Sequence, residues 1–270
     1  MEDYYVLNAK YNKNEKAWHY NSDEGYDTGN IIAFKKREYY KSSAHKFSFY
    51  YINKAEEARG NILVHYYNEI LEYYNKVFGD NDIKKFDVVS LGIIDGVGPG
   101  AYFRKELLVS ERMDFDLGNE KELRLNTASL LSHELGHNWF SGASFDTWED
   151  WLNETGATWA SLLYALDSNN DELFKKLLGE AEQIYKNSTL IKTTDLKRPD
   201  GVHGSGTMLL YEIYKKYGKK PILAFLNTFI ELQDKTTENL LVSLKHKIGN
   251  EIPAIIQKGL TMTDYSEICR

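Results

Sequence analysis

The chain has 270 residues, 42 % hydrophobic and 27 % charged, with a formal net charge of −7. This is the profile of a globular protein able to bury a large core. The acidic balance and lack of a long basic run argue against nucleic acid or an anionic membrane surface as partner, and no stretch approaches the ~20 apolar residues of a membrane span.

A single cysteine, Cys269, excludes an internal disulfide framework and a multi-cysteine metal centre. The opening MEDYYVLNAKYNKNEK has no apolar segment of the kind a secretory leader carries, so a cytoplasmic location is the default expectation unless a leader or anchor was removed. In chain order, residues 1–30 are polar and read as irregular or as an early hairpin. Ile31 to Phe34 and Phe47 to Ile52 read as strands, and the alternation of Phe47, Phe49 and Tyr51 predicts that the second is half-buried. From about Ala55 to Phe78 the period turns helical through Ile62, Val64, Tyr66, Ile70, Leu71 and Tyr74, with Gly79 as the stop. His65 in that helix has no partner motif and reads as a packed or surface histidine. Phe86 to Ile94 reads as a central strand, residues 95–100 as a glycine-rich loop, and Ala101 to Ser110 as a further strand.

Beyond about Asn126 the pattern is almost wholly helical, with Asn126 and Thr127 as candidate caps. Strands first and helices later predict an α+β protein: one domain over 1–270, with a β-rich lobe over about 30–115 and a helical lobe over about 126–270. A cleft between two such lobes is the default place for a site.

The chemistry concentrates at His133-Glu134-Leu135-Gly136-His137. Two histidines four apart on a helix share a face, one turn apart, so both rings can reach one metal ion. A glutamate beside the first can take a proton from water at that metal. Catalytic zinc takes three protein ligands and keeps one open position. Glu154, in Trp151-Leu152-Asn153-Glu154-Thr155-Gly156-Ala157-Thr158, is the candidate third ligand, brought back from a second helix. Asn153, Asp150 and Thr158 are candidates to support the ligands, Asp150 either by accepting a histidine N–H or by capping its helix. Trp139, Phe140 and Trp151 read as packing around the ligand helices.

HELGHNWF followed by WLNETGAT resembles the gluzincin metallopeptidases, above all the aminopeptidase N family with its HELxHxWF and WLNEGxAT segments. The likeness extends from Leu71-Glu72-Tyr73-Tyr74 through Gly100-Ala101 to the helices beyond 200. It implies a thermolysin-like catalytic domain, one zinc ion held by His133, His137 and Glu154, Glu134 as general base, and peptide substrates. The interval 138–153 is two residues shorter than is usual in that family, which bears on the loop rather than on the ligands.

Two departures bear on specificity and rate. Where the family's exopeptidase strand reads Gly-Ala-Met-Glu-Asn, this chain has Gly100-Ala101-Tyr102-Phe103-Arg104. Gly100 and Ala101 match, but Phe103 replaces the glutamate that grips the substrate's amino terminus, and a phenyl ring offers an ammonium only a cation–π contact. Where relatives carry a tyrosine in Tyr-x-Lys-Gly, His203 stands in Gly201-Val202-His203-Gly204-Ser205-Gly206, and an imidazole N–H can serve the developing oxyanion as a phenol does. The expectation is a zinc peptidase whose Gly98–Phe103 edge pairs with an extended peptide. Two alternatives stand beside it: a weak or inactive peptide- or metal-binding module on the same fold, and an aminopeptidase with a different amine anchor. The further domains of the aminopeptidase family are absent from this sequence, so the expected cleft is more open unless a partner or missing domain covers it.

Overall fold

The computed structural model describes residues 3–7, 9–19, 32–44, 46–81, 83, 86–90, 101–104, 107–110, 119–188 and 190–269. The chain divides into two compact units, Met1–His65 with Asp82–Arg124, and Tyr66–Asn81 with Leu125–Arg270.

In the first unit, β1 (Tyr4–Leu7) pairs antiparallel with β4 (Ile32–Lys35), and β2 (Lys10–Asn12) pairs with β3 (Ala17–His19) as a hairpin. A five-stranded sheet follows, built from β5 (Tyr40–Ala44), β6 (Phe47–Tyr51), β7 (Phe86–Ser90), β8 (Ala101–Arg104) and β9 (Leu107–Ser110). Its spatial order is β5-β6-β7-β9-β8; the two inner pairings are parallel and the two outer ones antiparallel.

Two readings change here. Ala101 to Ser110 is a hairpin of two strands, with Ala101 opposite Ser110 and Arg104 opposite Leu107. All five residues of β6 are buried, Ser48 included, where alternation predicted one wet face. β6 runs parallel to β7 in the middle of the sheet, and parallel strands are stable chiefly with both faces covered. β7 is central, as predicted; the rest of that expected strand, 91–94, lies outside the described residues.

A parallel pair needs a long crossover, and α1 (Glu57–Phe78) lies between β6 and β7 in the chain. Its buried face is Leu63, Tyr67, Ile70, Tyr74 and Phe78, a helical i, i+4, i+7, i+11, i+15 series. Val64 and Tyr66 are half-buried and His65 is exposed. Gly79 ends the helix at φ 91°, in the left-handed region where a side chain is strained.

In the second unit, the C-terminal part of α1 is joined by α2 (Glu120–Gly136, from Leu125 on), α3 (Trp151–Asp167), α4 (Asp171–Lys186), α5 (Val202–Tyr217), α6 (Lys219–Glu231), α7 (Thr237–Ile248) and α8 (Glu251–Gly259). α2 begins two turns before the expected Asn126-Thr127 cap. Asn119 Oδ1 accepts from the Glu122 amide at 3.2 Å, which makes Asn119 the N-cap, and the Asn119 side-chain amide donates to Glu122 Oε2 at 3.4 Å. Asn126 and Thr127 are interior to the helix.

α3 is the core of this unit. Every residue from Trp151 to Ala165 is buried, and the helix packs against α4, α5 and α6. Trp151, Leu152, Trp159, Leu162 and Leu163 are 0 % exposed; each such side chain contributes roughly 1.5–3 kcal/mol by burial. Asn153, Glu154, Thr155 and Thr158 are buried in the same helix. Polar groups held this deep need partners, and those partners define the candidate site.

Candidate metal centre

α2 carries His133; His137, one turn on, follows its last residue, and their Nε2 atoms lie 3.2 Å from each other. α3 brings Glu154 to both: its Oε2 is 3.2 Å from His133 Nε2 and 3.7 Å from His137 Nε2. The ligand atoms of these three residues all fall within 4.8 Å of one another. The two helices approach this closely because Gly136 has no side chain: a Cβ there would sit 3.0 Å from Ala157 Cα and 3.2 Å from its carbonyl oxygen. Ala157, the residue that Gly136 faces, lies three positions after Glu154 on α3.

Hydrogen-bond direction fixes where lone pairs point. His137 Nδ1 lies 3.1 Å from the Phe140 carbonyl, which can only accept. Neutral His137 therefore carries its proton on Nδ1 and turns a bare Nε2 toward His133 and Glu154. His133 Nδ1 lies 3.3 Å from the Thr158 hydroxyl, which can likewise take its N–H. Glu154 Oε2 is buried and faces three imidazole nitrogens, those of His133, His137 and His203. With Thr158 accepting, three electron-rich atoms converge, an arrangement that a cation or extra protons stabilise. Burial works against charge on His133, but Glu154, with Glu134 and Glu180 beyond it, outweighs that and raises its pKa. Burial likewise disfavours the Glu154 carboxylate, yet His133, His203 and His137 hold it well below the usual carboxylate range. The donor set of two imidazoles and one carboxylate fits zinc.

Glu134 is buried beside His133 on α2. His203, in the first turn of α5, joins the cluster: Nδ1 is 2.8 Å from Glu154 Oε2, and Nε2 is 3.3 Å from an Arg198 terminal nitrogen. Arg198 was not marked by the sequence. It sits five residues before His203 with no spacing rule to single it out, and it reaches Asp150 Oδ2 through Nε at 2.6 Å and Glu154 Oε1 at 3.5 Å.

Asp150 directly precedes α3 but makes no side-chain cap bond, and it accepts from Arg198 and Asn153 instead of from an imidazole. Asn153 spends its amide on the short loop between the ligand helices, accepting from the Ala143 N–H at 3.1 Å and donating to the Ala143 carbonyl at 3.0 Å. Trp139, Phe140 and Trp151 are buried, with the two indoles donating to the Gly79 carbonyl and the Thr237 hydroxyl.

The expected substrate strand belongs to the other unit. β8 is the edge strand of the five-stranded sheet, with Phe103 opposite Leu108. Ala101 and Phe103 lie in it, and Gly100 lies outside the described residues. No helix among the described residues is long and apolar enough to cross a membrane.

The chain matches no protein-family model. It is 22 % identical over 234 residues to the probable aminopeptidase 2 of Sulfurisphaera tokodaii, covering 77 % of this chain and 29 % of that protein. It is 22 % identical over 236 residues to the probable aminopeptidase 1 of Saccharolobus solfataricus, covering 78 % and 29 %. The chain thus spans 29 % of the length of each of these curated relatives. Among solved structures, native leukotriene A4 hydrolase from Saccharomyces cerevisiae superposes with a TM-score of 0.62 at 13 % identity, covering 82 % of this chain and 40 % of that one. Yeast leukotriene A4 hydrolase in complex with bestatin gives 0.63 at 13 % identity, covering 90 % and 43 %. The fold is of the leukotriene A4 hydrolase kind, and the relationship is aminopeptidase-like.

Proposed function

We propose that the chain is a zinc-dependent peptidase of the gluzincin kind. The observation that carries this reading is the convergence at Glu154 Oε2: a buried carboxylate oxygen 3.2 Å and 3.7 Å from two histidine Nε2 atoms that are themselves 3.2 Å apart. His133, His137 and Glu154 would hold the ion, and when bound it supplies Lewis acidity for water and for a peptide carbonyl.

The chain's own residues supply the rest. Glu134 takes a proton from the attacking water as its oxygen adds to the carbonyl carbon, and passes that proton to the amine nitrogen as the C–N bond breaks. His203 directs an N–H at the carbonyl oxygen as negative charge develops there. Arg198 and Asp150 keep Glu154 and His203 in place. β8, a sheet edge, offers backbone groups to an extended peptide.

Phe103, where the family has its amine-gripping glutamate, favours a peptidase that does not require a free amino terminus. The test is zinc content of the purified chain, then cleavage of mixed peptides with and without chelator. We expect one zinc per chain and chelator-sensitive cleavage, with a free-amino peptide and its N-acetylated twin cut at similar rates. Absence of bound zinc overturns the proposal. Saturable peptide binding with zinc but no product by mass spectrometry favours the binding-module alternative, and a strong preference for the free amine restores an aminopeptidase with another anchor.

A further inference from the structure

We propose that Arg198 is a positioning residue that fixes the proton of His203 on Nδ1 and steadies the carboxylate of Glu154. The inference rests on the peptidase reading for its catalytic consequence only; its structural content stands on the hydrogen bonds themselves.

A guanidinium has donors and no acceptor. At 3.3 Å from the Arg198 terminal nitrogen, His203 Nε2 is therefore the acceptor. The opposite ring nitrogen faces Glu154 Oε2 at 2.8 Å, and a carboxylate can only accept. Two neighbours on opposite edges of the ring thus demand the same tautomer, with the single N–H of the neutral ring on Nδ1, directed at the ligand cluster. Without Arg198, only one of the two constraints remains. The alternative tautomer would then aim the N–H away from the cluster and a lone pair at a carboxylate.

The same nitrogen of Arg198 lies 3.5 Å from Glu154 Oε1, the oxygen not directed at the histidines. This leaves Oε2 as the oxygen facing His133 and His137. Arg198 can act this way because it is itself fixed. Nε donates to Asp150 Oδ2 at 2.6 Å, and the side chain of Asp150 is only 5 % exposed. Asn153 donates to the other Asp150 oxygen at 2.7 Å. The Arg198 amide donates to the Asp146 carbonyl at 3.2 Å, and the Trp148 amide to the Leu196 carbonyl at 3.2 Å, so the backbone segments carrying Arg198 and Asp150 are tied to each other. Thr147 and Lys197 form an isolated antiparallel bridge at the same place. Three acceptors are met from one planar fork, Asp150 through Nε and the other two through one terminal nitrogen, which a flexible ammonium does not reproduce.

The experiment reads the tautomer directly. Long-range 1H–15N correlation spectra of the chain labelled at histidine nitrogen, with His203 identified by the loss of its signals in His203→Gln, report which nitrogen carries the proton. The expected result is Nδ1–H for wild type, metal-free and zinc-loaded alike. Arg198→Met, which leaves Glu154 as the one remaining constraint, is expected to let a minor Nε2–H population of His203 appear beside Nδ1–H. It should also weaken zinc binding about tenfold in competition with a chromophoric chelator, the lower end for partners of metal ligands, and lower kcat more than it changes KM. Asp150→Asn, which loosens Arg198 without removing it, should move each readout the same way by less, and it serves if Arg198→Met does not fold.

A wild-type His203 with its proton on Nε2 overturns the inference, as does an Arg198→Met chain with unchanged tautomer and unchanged zinc affinity. A wild type that binds no zinc overturns the peptidase reading instead, and the metal-free spectrum then still decides this one.

Discussion

The two units bury carboxylates in opposite ways. In the first, Glu56 is set against a cation of its own chain: Arg59 lies one helical turn on, with Nη1 3.6 Å from Glu56 Oε2, and the side chains are 2 % and 7 % exposed. In the second, Glu154 shares the one Arg198 guanidinium with Asp150 and is otherwise set against His133, His137 and His203, whose rings offer it positive charge only when protonated. A buried charge without compensation is expensive, and removing one partner of a buried pair typically costs several kcal/mol. The Glu56–Arg59 pair sets one carboxylate against one guanidinium. Around Glu154, two carboxylates share the single guanidinium of Arg198, and this imbalance leaves room for a cation. Burial of charge alone thus does not mark a site; what marks it is how the charge is compensated.

The largest effect that separates the two is chemical. Glu134→Gln keeps the size and burial of the side chain but cannot accept a proton. We expect cleavage to fall by about 10²–10⁴-fold, the usual contribution of general acid–base catalysis, with zinc content and fold unchanged. Cleavage at wild-type rate would remove Glu134 from the mechanism. At the Glu56–Arg59 pair the effect should be on stability alone. Arg59→Met leaves Glu56 buried and uncompensated, at an expected cost of about 3–5 kcal/mol by urea unfolding, with no change in zinc stoichiometry. A loss of zinc from this variant would contradict the separation of roles.

Metal removal comes next in size. At a free zinc concentration of about 100 Kd, binding stabilises the folded chain by about 2.7 kcal/mol. Chelation should lower the unfolding midpoint correspondingly in wild type and leave it unmoved in Glu154→Gln. An equal chelator effect on both would place the ion elsewhere.

How far these features could be read from sequence follows from how local they are. His133 and His137 were legible because helical periodicity alone puts i and i+4 on one face, and Glu154 because its flanking WLNETGAT is characteristic. The start of α2 was misplaced: Asn126 and Thr127 are common cap types, but the capping interaction uses Asn119 with Glu122, ahead of the apolar run. The alternation in Phe47 to Tyr51 is real, yet it could not reveal that β6 lies between β5 and β7 with both faces covered. Ala101–Arg104 pairs with Leu107–Ser110, and the residue types between them, Lys and Glu, are not customary turn formers, so one long strand was the natural reading. Arg198 was illegible because its role is wholly tertiary. It belongs to an irregular segment, and only the folded chain brings Asp150, Glu154 and His203 around its guanidinium.

The smallest effect is also the sharpest test of how the ligand helices meet, since one substitution should have opposite signs at two glycines of the second unit. In a helix interior, alanine is favoured over glycine by about 1 kcal/mol. At Gly179 of α4 an added Cβ meets nothing within 4 Å, so Gly179→Ala should stabilise by about that amount. At Gly136 the new methyl meets backbone atoms of Ala157 at 3.0 Å and 3.2 Å, and a neighbouring helix cannot rotate away as a side-chain tip can. Overpacking of this kind costs about 1–3 kcal/mol, which offsets the propensity gain and leaves a net loss. The displaced element is α3, which carries Glu154 one turn before Ala157. Gly136→Ala should therefore weaken zinc binding as well as the fold, whereas Gly179→Ala should leave zinc binding untouched. If Gly136→Ala instead stabilised the chain and kept its zinc affinity, the close approach of α2 and α3 would not be what sets the distance from Glu154 to the two histidines.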